Sequence, residues 1–233
     1  MTILYDNLGY NRQMLLDLPF REGIGTITQD VAKPHHPVTL VGAPAWNALD
    51  SGKMALTLAG FGGGDYAQCL NADCTDLGFT SSDFSIGGWF TWEDTAEDSQ
   101  ILIGRYEVSV GGWELYMTEV GALRYMTLRL HHAGGASART AGFSLGWAFG
   151  TLAHFGVSKI GSSMQFYRNG EPITTVSDVL IDPETTTQDL VIGIRYTKDA
   201  NLLSGRLPRL VVAGEGLSAN DWRAMYRQQR DYA

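Results

Sequence analysis

Residues 83–90 read DFSIGGWF. Phe84, Ile86, Gly88 and Phe90 fall on one side of this run, and Ser85, Gly87 and Trp89 on the other. A period of two is the mark of a β-strand, because successive side chains leave an extended backbone on opposite faces. The first side is apolar enough to line a core. The second is small apart from one indole.

The same alternation recurs outward in both directions. In WELYM (113–117), Trp113, Leu115 and Met117 oppose Glu114 and Tyr116. MQFYRNGEPI (164–173) carries Asn169-Gly170 directly after a β run, the strongest short-range hairpin signal. DLVIGIRY (189–196) and RLPRLVVAG (206–214) supply two more apolar strands. The chain's 28 glycines are scattered, as many short strands and turns require. One convincing helix closes the pattern. LSANDWRAMYRQQ (217–229) opens with Ser218 as N-cap and Asp221 three residues on. Trp222, Met225 and Tyr226 then share one face. The expected fold class is all-β, a two-sheet antiparallel β-sandwich with one short C-terminal helix, in a single domain.

At 233 residues the chain can bury a core without staples. A formal charge of −8 argues against nucleic acid and against anionic membrane surfaces as partners. No segment approaches the roughly 20 apolar residues of a membrane span. The N-terminus, MTILYDNLGYNRQ, lacks the cationic and apolar regions of a signal peptide, so a soluble chain made in a cytoplasm is expected. Cys69 and Cys74, in CLNADC, are expected as free thiols in that setting, and as a small local disulfide if the protein ends up outside a cell.

Several stretches together resemble the laminin-G-like, concanavalin A-like jelly-roll superfamily. LPFREGIGTITQDVAKPHHPVTLVGAPAW (18–46) is similar to its opening strand, loop and Thr-Leu strand, and MALTLAGFGGGDYAQC (54–69) to its next segment. DFSIGGWFTW resembles its Phe-Thr-Ile-x-x-Trp strand. QILIGRYEVSVGGWELYM and GALRYMTLRL resemble the following hairpin, and GTLAHFGVSKIGSSMQFYRNGE its His-Val-Ala-Val strand with a Tyr-x-Asn-Gly hairpin. The resemblance runs from about residue 15 to residue 228 and implies a jelly roll of two antiparallel sheets packed face to face. The domain is therefore placed at 15–233, with residues 1–14 as an N-terminal arm. Two departures matter. Leu152 stands where the family's tryptophan usually precedes its histidine, and Pro208 and Arg209 replace an acidic pair, so a calcium role resting on that pair does not carry over.

Four of the five histidines come in adjacent pairs, His35-His36 and His131-His132. On a strand His131 and His132 point to opposite faces, and His35 and His36 fall in a Pro-bounded loop expected to be extended and exposed. No Cys-x-x-Cys or His-x-x-x-His spacing supports zinc, and no metal is expected. His154 matches a family position that is usually structural. Asp65, in GGGDY, is the one carboxylate placed to reach calcium through a loop; six to eight oxygens are needed, and the alternative is a turn residue closing on backbone amides.

Some jelly-roll relatives are glucanases that hold two carboxylates on one strand face. Glu-x-Asp occurs nowhere here, and the acidic run WEDTAEDS (92–99) reads as a solvated loop between strands. The protein is expected to be no enzyme. Sugar binding needs an aromatic face and a few polar groups. Trp89, beside Ser85 and Gly87, is a candidate floor for a shallow trough, and the alternative packs it beneath an adjoining strand or loop. Trp92, Tyr106 and Tyr116 are candidates of the same kind.

What the resemblance then implies is a non-catalytic interaction or structural protein. The setting expected first is a bacteriophage virion, as a capsid decoration or tail-associated adhesin, with cell-surface glycans and other protein subunits of the assembly as partners. Ile3, Leu4, Tyr5 and Tyr10 of the arm are placed to dock on a neighbouring subunit by strand addition, which would make a homo-oligomer or lattice contact. The alternative is a carbohydrate-binding module of a secreted system, and a glycoside hydrolase comes third.

Overall fold

The computed structural model describes residues 8–93, 97, 99–120, 123–133, 139–144, 148–176 and 181–232. Three antiparallel sheets account for the strands. The first runs in the order β1 (Met14–Leu18), β17 (Arg209–Ala213), β7 (Phe84–Phe90), β12 (Ala153–Ile160), β13 (Ser163–Arg168), β14 (Glu171–Val176). The second runs β11 (Arg139–Ser144), β10 (Leu123–His131), β9 (Gly111–Val120), β8 (Ser99–Glu107), β15 (Leu190–Ile192), β6 (Tyr66–Cys69), β3 (Pro37–Val41), β2 (Ile27–Gln29). A third, small sheet of β16 (Ser204–Leu207), β5 (Met54–Ala59) and β4 (Ala45–Ala48) adds to the expected pair.

The two large sheets pack face to face through their alternate residues. Phe84, Ile86 and Phe90 of β7 meet Trp113, Leu115 and Met117 of β9 in one buried cluster, which Phe155, Val157, Leu210 and Val212 extend. Phe84 stacks on Phe79 with ring centres 4.4 Å apart. Asn169 and Gly170 both take positive φ, 51° and 79°, and close the β13–β14 hairpin as the Asn-Gly pair requires.

The helix α1 (Ala219–Gln229) lies on the other face of the first sheet. Ser218 caps it: its hydroxyl accepts from the Asp221 amide while the Asp221 carboxylate accepts from the Ser218 amide. Trp222 is driven against β7 and β12 at two glycines. A Cβ on Gly87 would sit 2.3 Å from the indole, and one on Gly156 at 2.8 Å. Its Nε1 donates to Ser158 Oγ at 2.9 Å. The sheet is thus covered on both sides, so its strands bury every residue of β7.

Within residues 8–14, Tyr10, Asn11 and Met14 are buried. Tyr10 is only 5% exposed, packs with Trp222 and Met225, and donates its hydroxyl to Gln228. That corrects its expected role in docking on a neighbour: the side chain is occupied within its own fold. Ile3, Leu4 and Tyr5 lie outside the described residues.

Candidate functional site

The outer face of the second sheet carries a pocket that gathers aromatic and charged side chains. On β9 the residues between the core side chains, Glu114 and Tyr116, point outward, and strand register sets their neighbours. Arg129 of β10 pairs with Glu114, and Thr127 with Tyr116. On β8 the register shifts between Ile101 and Ile103, so that Leu102 and Ile103 both enter the core. The phase after the bulge turns Gly104 and Tyr106 outward. Gly104 lies opposite Glu114, where a Cβ would come within 2.9 Å of the Glu114 Cβ. With no side chain there, Glu114 keeps its place on the sheet face. The result is a cavity of about 210 Å³ lined by Ser99, Ile101, Tyr106, Glu114, Tyr116 and Arg129, with Arg195 and Asn201 from the loop after β15.

Its polar groups are held in fixed positions. Arg129 donates from Nη1 to Glu114 Oε1 at 3.0 Å and from Nη2 to the Tyr116 hydroxyl at 2.8 Å, with its guanidinium 4.7 Å from the Tyr116 ring centre. Burial works against the Arg129 charge, but Glu114 and Tyr116 outweigh it and lift its pKa above the ordinary arginine value. Tyr106 lies with its ring centre 4.0 Å from that of His131 and edge-on to Tyr196 at 4.9 Å. Burial, and then the negative charge of Glu114, raises its hydroxyl above the usual tyrosine value, so it stays a donor at neutral pH. Asn201 donates to the Ser99 carbonyl at 2.8 Å, which ties the loop to the strand. The pocket therefore offers two aromatic rings, hydroxyl donors, a carboxylate and two guanidinium groups. Among the described residues, Glu114 is the one carboxylate in its lining.

Two of the aromatic candidates from the sequence, Tyr106 and Tyr116, meet here. The other two do not. Trp89 is 1% exposed, beneath the C-terminal segment: its ring stacks on Tyr226 at 5.7 Å and tilts against Tyr232 at 6.1 Å. Leu152 packs against the same cluster. Of the two readings of Trp89, the structure shows the one packed beneath an adjoining segment, and the open indole floor is corrected. Trp92 is likewise core, edge-on to Phe149 at 5.4 Å. Glu114, Arg129, Arg195 and Asn201 were not singled out from sequence. For Glu114 the signal was present, since WELYM puts it on the face of Tyr116.

The other titratable candidates serve the fold. Asp65 accepts from the Ala43 amide at 2.7 Å, the turn-closing geometry. Among the described residues, no three His, Cys, Asp or Glu side chains gather as a metal site. His36 corrects the expected exposed loop. It is buried, with Nδ1 2.9 Å from Asp30 Oδ2 and Nε2 2.8 Å from Asp76 Oδ1. Asp30 also accepts from the amides of Asp17, Ala32 and His36, which folds the Pro-bounded loop back on β1. Arg209, where the family's acidic pair is missing, instead forms a two-pronged ion pair with buried Asp17, at 2.9 and 2.6 Å. Cys69 and Cys74 are both free and buried.

A family model, Laminin_G_3 of the concanavalin A-like lectin/glucanases superfamily, matches residues 61–221. The chain belongs to the concanavalin A-like lectin/glucanase superfamily. The matched span contains every residue of the pocket. No protein of curated function matches the sequence. Among solved structures, the sandwich is similar to the receptor-binding domain of botulinum neurotoxin mosaic serotype C/D, with a TM-score of 0.71 and 16% identity over 94% of this chain and 52% of that one. It is similar to the serotype D binding domain, at 0.71 and 14%, over 95% and 53%. It is also similar to a type C structure described as depending on two ganglioside molecules to enter cells, at 0.68 and 14%, over 94% and 52%. At such identities the likeness is one of fold, and this superfamily member spans about half the length of those chains.

Proposed function

We propose that this concanavalin A-like domain is a non-catalytic, lectin-like binding module, and that the pocket between Tyr106, Tyr116, Glu114 and Arg129 takes a sugar. The observation that carries the reading is the Arg129 clamp: one guanidinium holds Glu114 and Tyr116 in place on an aromatic wall of an open polar cavity. A sugar ring needs just this pairing of an apolar face with fixed hydrogen-bonding groups. The volume is below the roughly 300–1,000 Å³ that encloses a drug-sized ligand, which suits a single small ring. Among the described lining residues Glu114 is the one carboxylate, which supports binding over glycoside hydrolysis, a reaction that in most families uses a pair. The fold likeness to a neurotoxin domain solved with SialylT supports a glycan as the class of ligand. The pocket chemistry is the same whether its carrier is a phage particle or an exported chain.

A glycan array tests it, run with calcium and then with chelator, on the parent protein and on Tyr116→Ala. Binding should survive the chelator and fall on the substitution. Binding that depends on calcium, or that is indifferent to Tyr116, would remove the pocket from consideration.

A further inference from the structure

The loop after β15 separates two hollows. It turns back on itself through Arg195 N to Ala200 O at 3.1 Å and Lys198 N to Arg195 O at 2.8 Å. Ile194 and Leu202 seat it on Val191 and Tyr66, so it stands as a ridge on the outer face of the second sheet. Neighbouring residues on its two arms line opposite flanks. Arg195 and Asn201 border the Tyr106–Tyr116 pocket, while Ile194 and Leu202 border a second hollow of about 290 Å³. The far side of that hollow is the turn Gly62–Gly64, and Phe61 stands on it 74% exposed. Gly60, Gly62 and Gly64 all have positive φ, which lets this turn present Phe61 outward rather than fold it in.

We propose that the second hollow is a further subsite for the same glycan, with Phe61 as the face on which an additional sugar ring stacks. This rests on the pocket reading above. The two hollows meet along this loop, because Arg195 and Asn201 on one flank are the chain neighbours of Ile194 and Leu202 on the other, so a ligand seated in the first pocket continues over the loop into the second. There Phe61 meets the C–H face of a ring, and Lys198 and Asp199 at the rim meet its hydroxyls. The ligand class is accordingly an oligosaccharide rather than a terminal monosaccharide.

The test is a length series. Calorimetry with size ladders of one to six units built from glucose, galactose and N-acetylglucosamine is run on the parent, on Phe61→Ala and on Phe61→Tyr. Affinity should rise with length by roughly three- to tenfold, the scale of one aromatic contact. Phe61→Ala should lose that rise and keep the affinity for the shortest ligand, and Phe61→Tyr should keep both. Short sugars that bind with no gain from length, or a gain that survives Phe61→Ala, would overturn the subsite and leave the first pocket standing. If no ladder binds at any length, both readings fall. Light scattering covers the remaining use of an exposed ring: a shift in oligomeric state on Phe61→Ala would assign Phe61 to a contact between copies and overturn the subsite.

Discussion

Replacing His154 with phenylalanine should remove a slope from the acid side of the stability profile. The imidazole is completely buried, caged by Trp89 at 5.3 Å, Tyr226 at 5.7 Å and Trp222 at 6.0 Å, and neither ring nitrogen has a hydrogen-bond partner. Burial in this cage, aided by the positive charge of Arg209, pushes its pKa down to about 3. In the unfolded chain a histidine titrates near 6.5. Between those values the unfolded state binds a proton that the folded state refuses, so stability is lost as pH falls below about 6.5. The slope approaches about 1.4 kcal/mol per pH unit, and from pH 6.5 to 4.5 the loss comes to about 2 kcal/mol. Against a typical total of roughly 5–15 kcal/mol, that is readily measured.

The assay is urea unfolding of the parent and of His154→Phe at half-unit steps from pH 4.5 to 7.5. Phenylalanine brings a constant offset from its different volume, but it has no proton to take up. The parent-minus-variant difference should therefore fall by about 2.5 kcal/mol across the window. Carboxylates whose pKa the fold lowers, such as Asp189 and Asp231, are common to both proteins and cancel. A flat difference would refute the reasoning, because it would mean that the folded cage accepts the proton.

Three further substitutions probe other parts of the structure. Burial opposes the charge on His36, but the hydrogen bonds it donates to Asp30 and Asp76 outweigh it and raise its pKa to about 9. Its contribution is thus complete below pH 6.5 and lost as pH rises through 9. His36→Asn should accordingly abolish a decline of about 3 kcal/mol on the alkaline side, read from the same difference plot. Gly87→Ala would put a Cβ 2.3 Å from the Trp222 ring and 2.7 Å from the Phe155 carbonyl oxygen. It should cost about 1–3 kcal/mol or more, with a lowered Tm and a changed near-ultraviolet signal as α1 is displaced. Gly104→Ala would put a Cβ 2.9 Å from the Glu114 Cβ and displace that side chain; on the proposal that the pocket takes a sugar, calorimetry should show weakened glycan binding in a protein whose far-ultraviolet spectrum is unchanged.

The sandwich was legible because a strand's period of two is a local property. Phe84, Ile86 and Phe90 announce a core face whatever the rest of the chain does, and Asn169-Gly170 specifies its turn from two residues. What covers the opposite face is not local. Trp89 was correctly placed across from the core, but Tyr226 and Tyr232, which close over it, lie more than 130 residues further along the sequence. Sequence shows a side chain's direction there and not its lid. Pro208 hid a boundary in the same way. RLPRLVVAG reads as one apolar strand, yet its residues split between β16 in the third sheet and β17 in the first. A proline has no N–H to donate to a ladder, so the chain changes sheets there.

The candidate site divides along the same line between local and distant information. Glu114 and Tyr116 share a face by alternation alone, which any reading of WELYM supplies. Arg129 reaches them only because the β9–β10 register sets it opposite Glu114. A slip of one residue would put Leu128 or Leu130 there, and Arg129 would point into the core. The core thus sets the pocket: Leu128 and Leu130 are fully buried, and their demand for the inner face obliges Arg129 to the outer one. Arg195 and Asn201 depend on a loop whose position is decided by Ile194 and Leu202 seating on Val191. A binding residue on a strand is therefore recoverable from the hydrophobic pattern of its neighbours, whereas one on a loop is recoverable only through the apolar residues that anchor that loop.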